Sequence, residues 1–330
     1  MSQPASGNRP FFDWPDPDTP AREVWYSLVS HPDQPVAFWY RYTLVMTADG
    51  GEARVWAALT DDRPDGLEDV FITERFEPGS ATIGDPFALS IGTKSRLTDA
   101  EATGRVVSET HEVEWSLSYE PDDLTFTPVR DEDQMLEWAR QLDTGVHWSA
   151  NQSVAMEGTV TVDGTDIELS NAPGHQGHTA GPSAPDDWVW THCNAFEDGD
   201  VALEVLSSDG RITPACLRLP EGDFLLNRQD QVLGETLETL ENEPGRWRFR
   251  AETDEVAFEA TVEADTDHWQ LASYLTPDSS LRYNAHCSLA AVSLTINSGS
   301  GERTYTSDAG RVEWVSREPP VPGSYPPFEG

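Results

Sequence analysis

The sequence predicts an all-β chain of two consecutive antiparallel β-barrel or sandwich domains with a few short helices. Three observations predict it. Short runs alternate apolar and polar residues, the period of a half-buried strand. Many connections carry hairpin chemistry, with ADGG at 48–51, VDGT at 162–165, EDGD at 197–200 and SSDG at 207–210. An Asp-Gly pair suits the positive φ values of a tight turn. Helical periodicity is scarce, so closely spaced strands with such turns indicate antiparallel sheets, not parallel βαβ units.

Taken in order, residues 1–23 are predicted to be an extended arm, with four prolines between residues 10 and 20. The first β-domain is expected over 24–182 and the second over 183–330. Alternating strands are read at 36–46, 52–60, 112–120, 153–162, 188–196 and 201–208, then at 246–252, 256–264, 268–275 and 289–296. Helices are expected at 131–143 (DEDQMLEWARQLD) and 231–243 (QVLGETLETLENE). The two halves share this texture, a hint of two related domains. No Gly-rich nucleotide loop follows a strand, and no cofactor is expected.

Charge narrows the partners. The 330 residues hold 59 acidic and 21 basic side chains, a net charge of −38, and Lys94 is the sole lysine. The 12 Trp, 12 Phe and 8 Tyr argue against disorder. Molar salt shortens the Debye length to a few ångströms, so self-repulsion among carboxylates is tolerated there. The expected home is the cytoplasm of a halophilic archaeon. Nucleic acid is not an expected partner, because phosphate contacts need Lys and Arg. Cys193, Cys216 and Cys287 are odd in number and widely spaced, neither a disulfide framework nor a zinc knuckle. The N-terminus has no basic and apolar regions of a signal peptide. No run approaches the length of a membrane helix. The expected partner is a hydrophobic small molecule, with transient membrane-surface contact allowed.

Residues 174–196, GHQGHTAGPSAPDDWVWTHCNAF, hold three of the eight histidines. His175 and His178 are three apart in glycine-rich sequence read as loop, not the i, i+4 spacing of a helical metal site. Loop histidines can still converge on zinc. In WVWTHCNAF, Trp188, Trp190, His192, Asn194 and Phe196 point one way, and Val189, Thr191, Cys193 and Ala195 the other. The bulky face is expected to line a barrel interior. Two indoles, an imidazole and a carboxamide suit a long apolar ligand with one polar end; alternatively His192 and Asn194 satisfy each other in a filled core. Glu204 depends on register: a two-residue turn points it away from His192, a three-residue loop beside it. Upstream, Trp39 and Arg41 share a face, where an arginine among aromatics can bind a carboxylate or cap a barrel mouth. His268 and His286 read as ordinary strand residues, and His31 as surface. No Asp or Glu stands at an obviously buried position.

The segments FWYRYT, GHQGH…WVWTHCNAF and LRYNAHCSLAAVSL…YTSDAGRVEW resemble the two-domain lipocalin-like superfamily. That superfamily contains carotenoid 1,2-hydratase (hydroxyneurosporene synthase) and, more distantly, tocopherol cyclase. The resemblance runs from about residue 24 to 316. It implies two lipocalin-like barrels and acid-initiated addition of water, or of an internal hydroxyl, across a prenyl double bond. In that chemistry Trp188 and Trp190 would face the carbocation, and His192 or the pair His175 and His178 would supply the proton or orient water. Asn194 would position a polar group. Three readings stand: a lyase or isomerase of this hydratase or cyclase type, a non-catalytic carrier of an apolar molecule, and a metal-dependent enzyme using the three histidines.

Overall fold

The computed structural model describes residues 7–130, 135, 137, 145–197, 199–208, 213–232, 236–298 and 301–327. Two antiparallel sheets, each with its own apolar core, make a two-domain lipocalin-like fold. The first compact unit comprises 1–126, 136–184 and 275–280, and the second 127–135, 185–274 and 281–330. No helix among the described residues is long and apolar enough to cross a membrane.

The first unit opens with β1 (Ala21–Ser30), β2 (Val36–Thr47), β3 (Gly50–Asp61) and β4 (Val70–Phe76). Short strands β5 (Ala81–Gly84), β6 (Ala88–Ile91) and β7 (Ser95–Thr98) precede β8 (Glu101–Val107) and β9 (Glu112–Tyr119). Two long strands, β10 (Val146–Val162) and β11 (Thr165–Gly181), complete it. The sheet order is β4-β3-β2-β1-β11-β10-β9-β8-β7-β6-β5, so the unit's first strand pairs with its last. The β10–β11 hairpin turns where the sequence predicts it: Asp163 and Gly164 have φ of 51° and 81°, and Val162 pairs with Thr165. Two central residues at positive φ match the right-handed twist of the strands.

The second unit holds β12 (Trp188–Cys193), β13 (Ala202–Ser208), β14 (Ala215–Leu219) and β15 (Gly222–Leu226), then helix α1 (Gln229–Val232). It continues with β16 (Leu237–Glu243), β17 (Arg246–Glu252), β18 (Val256–Glu263) and β19 (Gln270–Leu275), and closes with β20 (Leu281–Ser298) and β21 (Gly301–Ser316). Its order, β15-β14-β13-β12-β21-β20-β18-β17-β16, repeats that of the first sheet, with β12 in the place of β1 and β21 in the place of β11. The repeat hinted at by texture is therefore a repeat of topology.

Three expectations change. The helix at 131–143 falls almost wholly outside the described residues. The helix at 231–243 is short helix followed by strand: LETLENE pairs with RWRFRAE, and Glu238 meets Arg250 at 2.6 Å while Glu241 meets Arg246 at 3.3 Å. Cross-strand charge pairs of this kind support an exposed strand. The glycine-rich stretch 174–181 is β11, not a loop. Its glycines serve close packing, because a Cβ on Gly177 would lie within the Tyr26 ring and one on Gly174 would lie 2.8 Å from the Met156 side chain.

A prediction arises here. Gly177→Ala should cost about 2–3 kcal/mol, since overpacking forces the ring and backbone apart. Gly174→Ala, facing a flexible methionine, should cost clearly less. Urea unfolding of both variants checks this; equal losses would remove the ring-packing explanation.

Candidate functional site

Strict alternation along β1 and β11 sorts the chemistry. In register, Trp25 lies opposite His178, Ser27 opposite Gln176 and Leu28 opposite His175. Glu23, Trp25, Ser27, Gln176 and His178 therefore share the face that carries the first unit's apolar core, whereas Tyr26 and His175 occupy the other. The two histidines point to opposite sides of one strand. They cannot share a ligand set, and among the described residues no three His, Cys, Asp or Glu side chains gather to hold a metal.

Inside the barrel, His178 Nε2 donates to Glu23 Oε1 at 2.8 Å, and both side chains are fully buried. The imidazole lies against two indoles, with ring centroids 4.7 Å from Trp25 and 4.0 Å from Trp148. Its Nδ1 faces Gly7 O at 3.3 Å. Both ring nitrogens thus face acceptors, and only a ring carrying both N–H hydrogens donates to both.

The arm closes over this pair. Glu23 Oε1 accepts from Phe11 N at 2.6 Å, while Oε2 accepts from Trp14 Nε1 at 2.6 Å and Phe12 N at 3.3 Å. Trp25 Nε1 donates to Asn8 O at 2.9 Å and Trp148 Nε1 to Gly7 O at 2.7 Å. Residues 7–14 are therefore fastened to the end of the first barrel by the acid–base pair and its flanking indoles.

That arm is also one wall of a cleft of about 960 Å³, lined by Asn8, Phe12, Trp14, Phe87, Asp99 and Asn151 among others. At its polar end, Gln176 Oε1 accepts from Asn8 Nδ2 at 3.1 Å and Asn151 Nδ2 at 2.5 Å. Asn8 also donates to Asp99 Oδ1 at 3.2 Å. Gln176 stands two residues before His178 on the same face of β11, so the amide cluster and the acid–base pair are neighbours on one strand. Deeper in, burial pushes the hydroxyls of Tyr40, Tyr42 and Tyr119 well above the ordinary tyrosine range. They remain neutral hydrogen-bonding groups.

The other sequence-predicted residues lie elsewhere. On the far face of the first sheet, Trp39 stacks on Phe71 with centroids 6.0 Å apart. There Arg41 lies over Trp56 at 5.5 Å and donates from Nε to Thr43 Oγ1 at 2.9 Å. In the second unit, the face of β12 expected to line the interior is the wrong one: Val189 and Cys193 point into the apolar core. That core is already filled by Trp247, Phe249, Phe258 and Trp314, which leaves room only for small side chains on β12.

Trp190 and His192 stack on the opposite face, both buried, with centroids 6.1 Å apart. His192 pairs with Glu204, settling the register question in favour of the shared face. Glu204 Oε1 accepts from Trp190 Nε1 at 2.9 Å, and Glu313 Oε1 from Trp188 Nε1 at 3.1 Å. Asn194 lies beyond the end of β12, and Phe196 joins the apolar core edge-on to Tyr305. Of the nine residues singled out from sequence, His178 alone stands in the acid–base pair. Glu23 was missed because the domain was taken to begin at residue 24, which left this carboxylate in the arm. The alternation of Glu23, Trp25 and Ser27 was the available signal.

The architecture and its placement define a class: two-domain, lipocalin-like, with polar groups inside the first barrel. Solved structures share the fold. An AttH-like protein of Nitrosomonas europaea matches with a TM-score of 0.58 at 13% identity, over 96% of this chain and 97% of that one. Kievitone hydratase of Nectria haematococca matches with a TM-score of 0.53 at 12% identity, over 89% and 88%. CghA, solved with Sch210972, matches with a TM-score of 0.55 at 13% identity, over 90% and 88%. The likeness is one of fold. No protein-family model matches the chain, and no curated protein matches it by sequence.

Proposed function

We propose that this chain is a hydratase- or cyclase-type enzyme acting on an apolar small molecule of the prenyl class. The observation that carries this reading is the buried Glu23–His178 pair between two indoles beside the cleft. The fold shared with kievitone hydratase supports it.

The chemistry balances without a cofactor. With residues 7–14 displaced by substrate, the His178 N–H gives its proton to one alkene carbon, and the π pair forms the new C–H bond. The tertiary cation left on the neighbouring carbon faces Trp25 and Trp148, the indoles that flank His178, whose π-clouds stabilise positive charge. A water oxygen, or an internal hydroxyl, then forms the C–O bond. Its surplus proton returns to the histidine, which Glu23 holds in place. An acyclic carotenoid with a terminal prenyl group is the substrate implied by the sequence resemblance.

The test uses such a carotenoid in ¹⁸O-labelled water at high salt. A hydratase gives a product carrying the label, and a cyclase gives an unlabelled isomer. His178→Gln should lower the rate by about 10²–10⁴-fold, the usual contribution of a positioned general acid. One observation favours a second reading, that of a carrier: the arm already satisfies both Glu23 oxygens. Tight binding with the carotenoid recovered unchanged would establish the carrier and end the enzyme reading.

We also infer a salt-rich cytoplasm from the net charge of −38. The unfolding temperature should rise steeply from dilute buffer to molar potassium chloride as repulsion is screened. A flat response would discard the inference.

A further inference from the structure

We propose that Gln176 Oε1 and Asp99 Oδ1 form the subsite for the ligand's polar end, that the arm's Asn8 carboxamide stands in for that end, and that the subsite selects a prenyl amine or alcohol over a prenyl acid. The proposal rests on the cleft taking a prenyl molecule, as read above, and adds which end-group it recognises.

Asn8 shows what the subsite accepts. Its Nδ2 gives hydrogens to two oxygens, Gln176 Oε1 at 3.1 Å and Asp99 Oδ1 at 3.2 Å. The orientation of the Gln176 amide is fixed by its neighbours. Asn151 Oδ1 accepts from Asp122 N at 2.8 Å, so Asn151 Nδ2 is the atom that donates to Gln176, at 2.5 Å, and an oxygen must receive it. Asn8, Asp99 and Asn151 line the cleft, whereas Gln176 is fully buried behind Asn8. Withdrawing Asn8 therefore opens a ready-made pair of acceptors at the cleft wall, one of them a carboxylate.

The same stretch of arm covers the acid. Gly7 O faces His178 Nδ1 at 3.3 Å and accepts from Trp148 Nε1 at 2.7 Å, while Asn8 O accepts from Trp25 Nε1 at 2.9 Å. Two consecutive residues thus present an acceptor to His178 and a donor to Gln176 and Asp99, and both places open together when they leave. Gln176 and His178 stand two residues apart on one face of β11, a separation of about 7 Å. The ligand that replaces Gly7 and Asn8 puts its π bond against His178 and, about 7 Å along, a group with hydrogens to give. An amine can serve both oxygens, as the carboxamide does, and a hydroxyl serves one. A carboxylate has no hydrogen to offer and meets Asp99 as a like charge.

Farnesylamine, farnesol and farnesoic acid share one prenyl chain and differ in the end-group. Each is titrated into the full chain in molar potassium chloride, which screens the general pull of the net charge on an amine, and tryptophan fluorescence reports binding. The amine and the alcohol are expected to bind about 10- to 100-fold more tightly than the acid, the range of a hydrogen bond to a charged acceptor. Asp99→Asn should shrink that gap at least several-fold. Asn8→Ala should tighten the amine and the alcohol about tenfold, because the arm no longer competes for the two oxygens. Equal affinities for the three end-groups overturn the subsite and leave the prenyl reading standing. A gap that survives Asp99→Asn, or affinities unmoved by Asn8→Ala, likewise overturn it. Failure of all three to bind overturns both. Selective binding without turnover keeps the subsite and removes the enzyme reading.

Discussion

Glu23→Ala is expected to lower the stability of the first unit by about 3–5 kcal/mol, the usual cost of removing one partner from a buried ionic pair. The reason is a count of donors. Phe11 N, Phe12 N, Trp14 Nε1 and His178 Nε2 all address this one carboxylate. Alanine leaves them unanswered at once, and three of the four belong to the arm. The second expected consequence is therefore local: chymotrypsin should cut after Phe11 or Phe12 in the arm at concentrations that leave the wild-type arm intact. Glu23→Gln should fall between the two, since one oxygen survives while the new amide N–H₂ confronts two donors. Urea unfolding and timed proteolysis read both effects. A Glu23→Ala variant within 1 kcal/mol of wild type, with its arm still protected, would mean that the fastening described here is not what holds the arm.

His286 should make the second unit sensitive to acid. Burial, with a smaller contribution from the Arg311 guanidinium, pushes its pKa from 6.5 down to about 3. The folded protein thus keeps this imidazole neutral, with Nε2 bonded to Ser288 Oγ at 2.7 Å and Glu313 opposite it in register. Burial also pulls the Arg311 guanidinium down to about 10, which still leaves it cationic at neutral pH. Protonating His286 would place a second buried cation near the first. Below pH 6.5 the unfolded chain takes up a proton that the folded chain refuses until about pH 3. The contribution is complete above 6.5 and is lost as pH falls, by up to about 1.4 kcal/mol per pH unit for one proton. The many surface carboxylates also respond to acid, so the measurement is a difference. Unfolding free energies of wild type and His286→Gln are compared from pH 7.5 downward. The gap should stay constant above pH 6.5 and shift in favour of the variant below it. Parallel curves would show that His286 is not refused its proton.

Much of the fold was legible because a strand announces itself locally. Alternation marked β2, β9, β17 and β18, and Asp163-Gly164 marked the turn between the longest pair of the first unit. What failed was decided by partners distant in sequence. GHQGHTAG reads as loop until the Tyr26 ring is known to cover Gly177. LETLENE has its two leucines three apart, a helical spacing, and it is the pairing with the arginines of β17 that makes it a strand. Which face of β12 turns inward depends on how much of the core other strands have filled. The acid–base pair was half visible, as His178. Its carboxylate lies 155 residues away, brought opposite by pairing between the first and last strands of the unit.

That pairing has a consequence in time. β1 is made first and β11 last, and the same holds for β12 and β21 in the second unit. During synthesis β1 must wait beside β2 with an open edge until β11 emerges, and contacts between such remote segments form slowly. Glu23 and His178 sit on the two strands that make this final join. A nascent or partly opened chain therefore carries the carboxylate and the imidazole but not the pair, which forms in the same event that joins the two halves of the sheet.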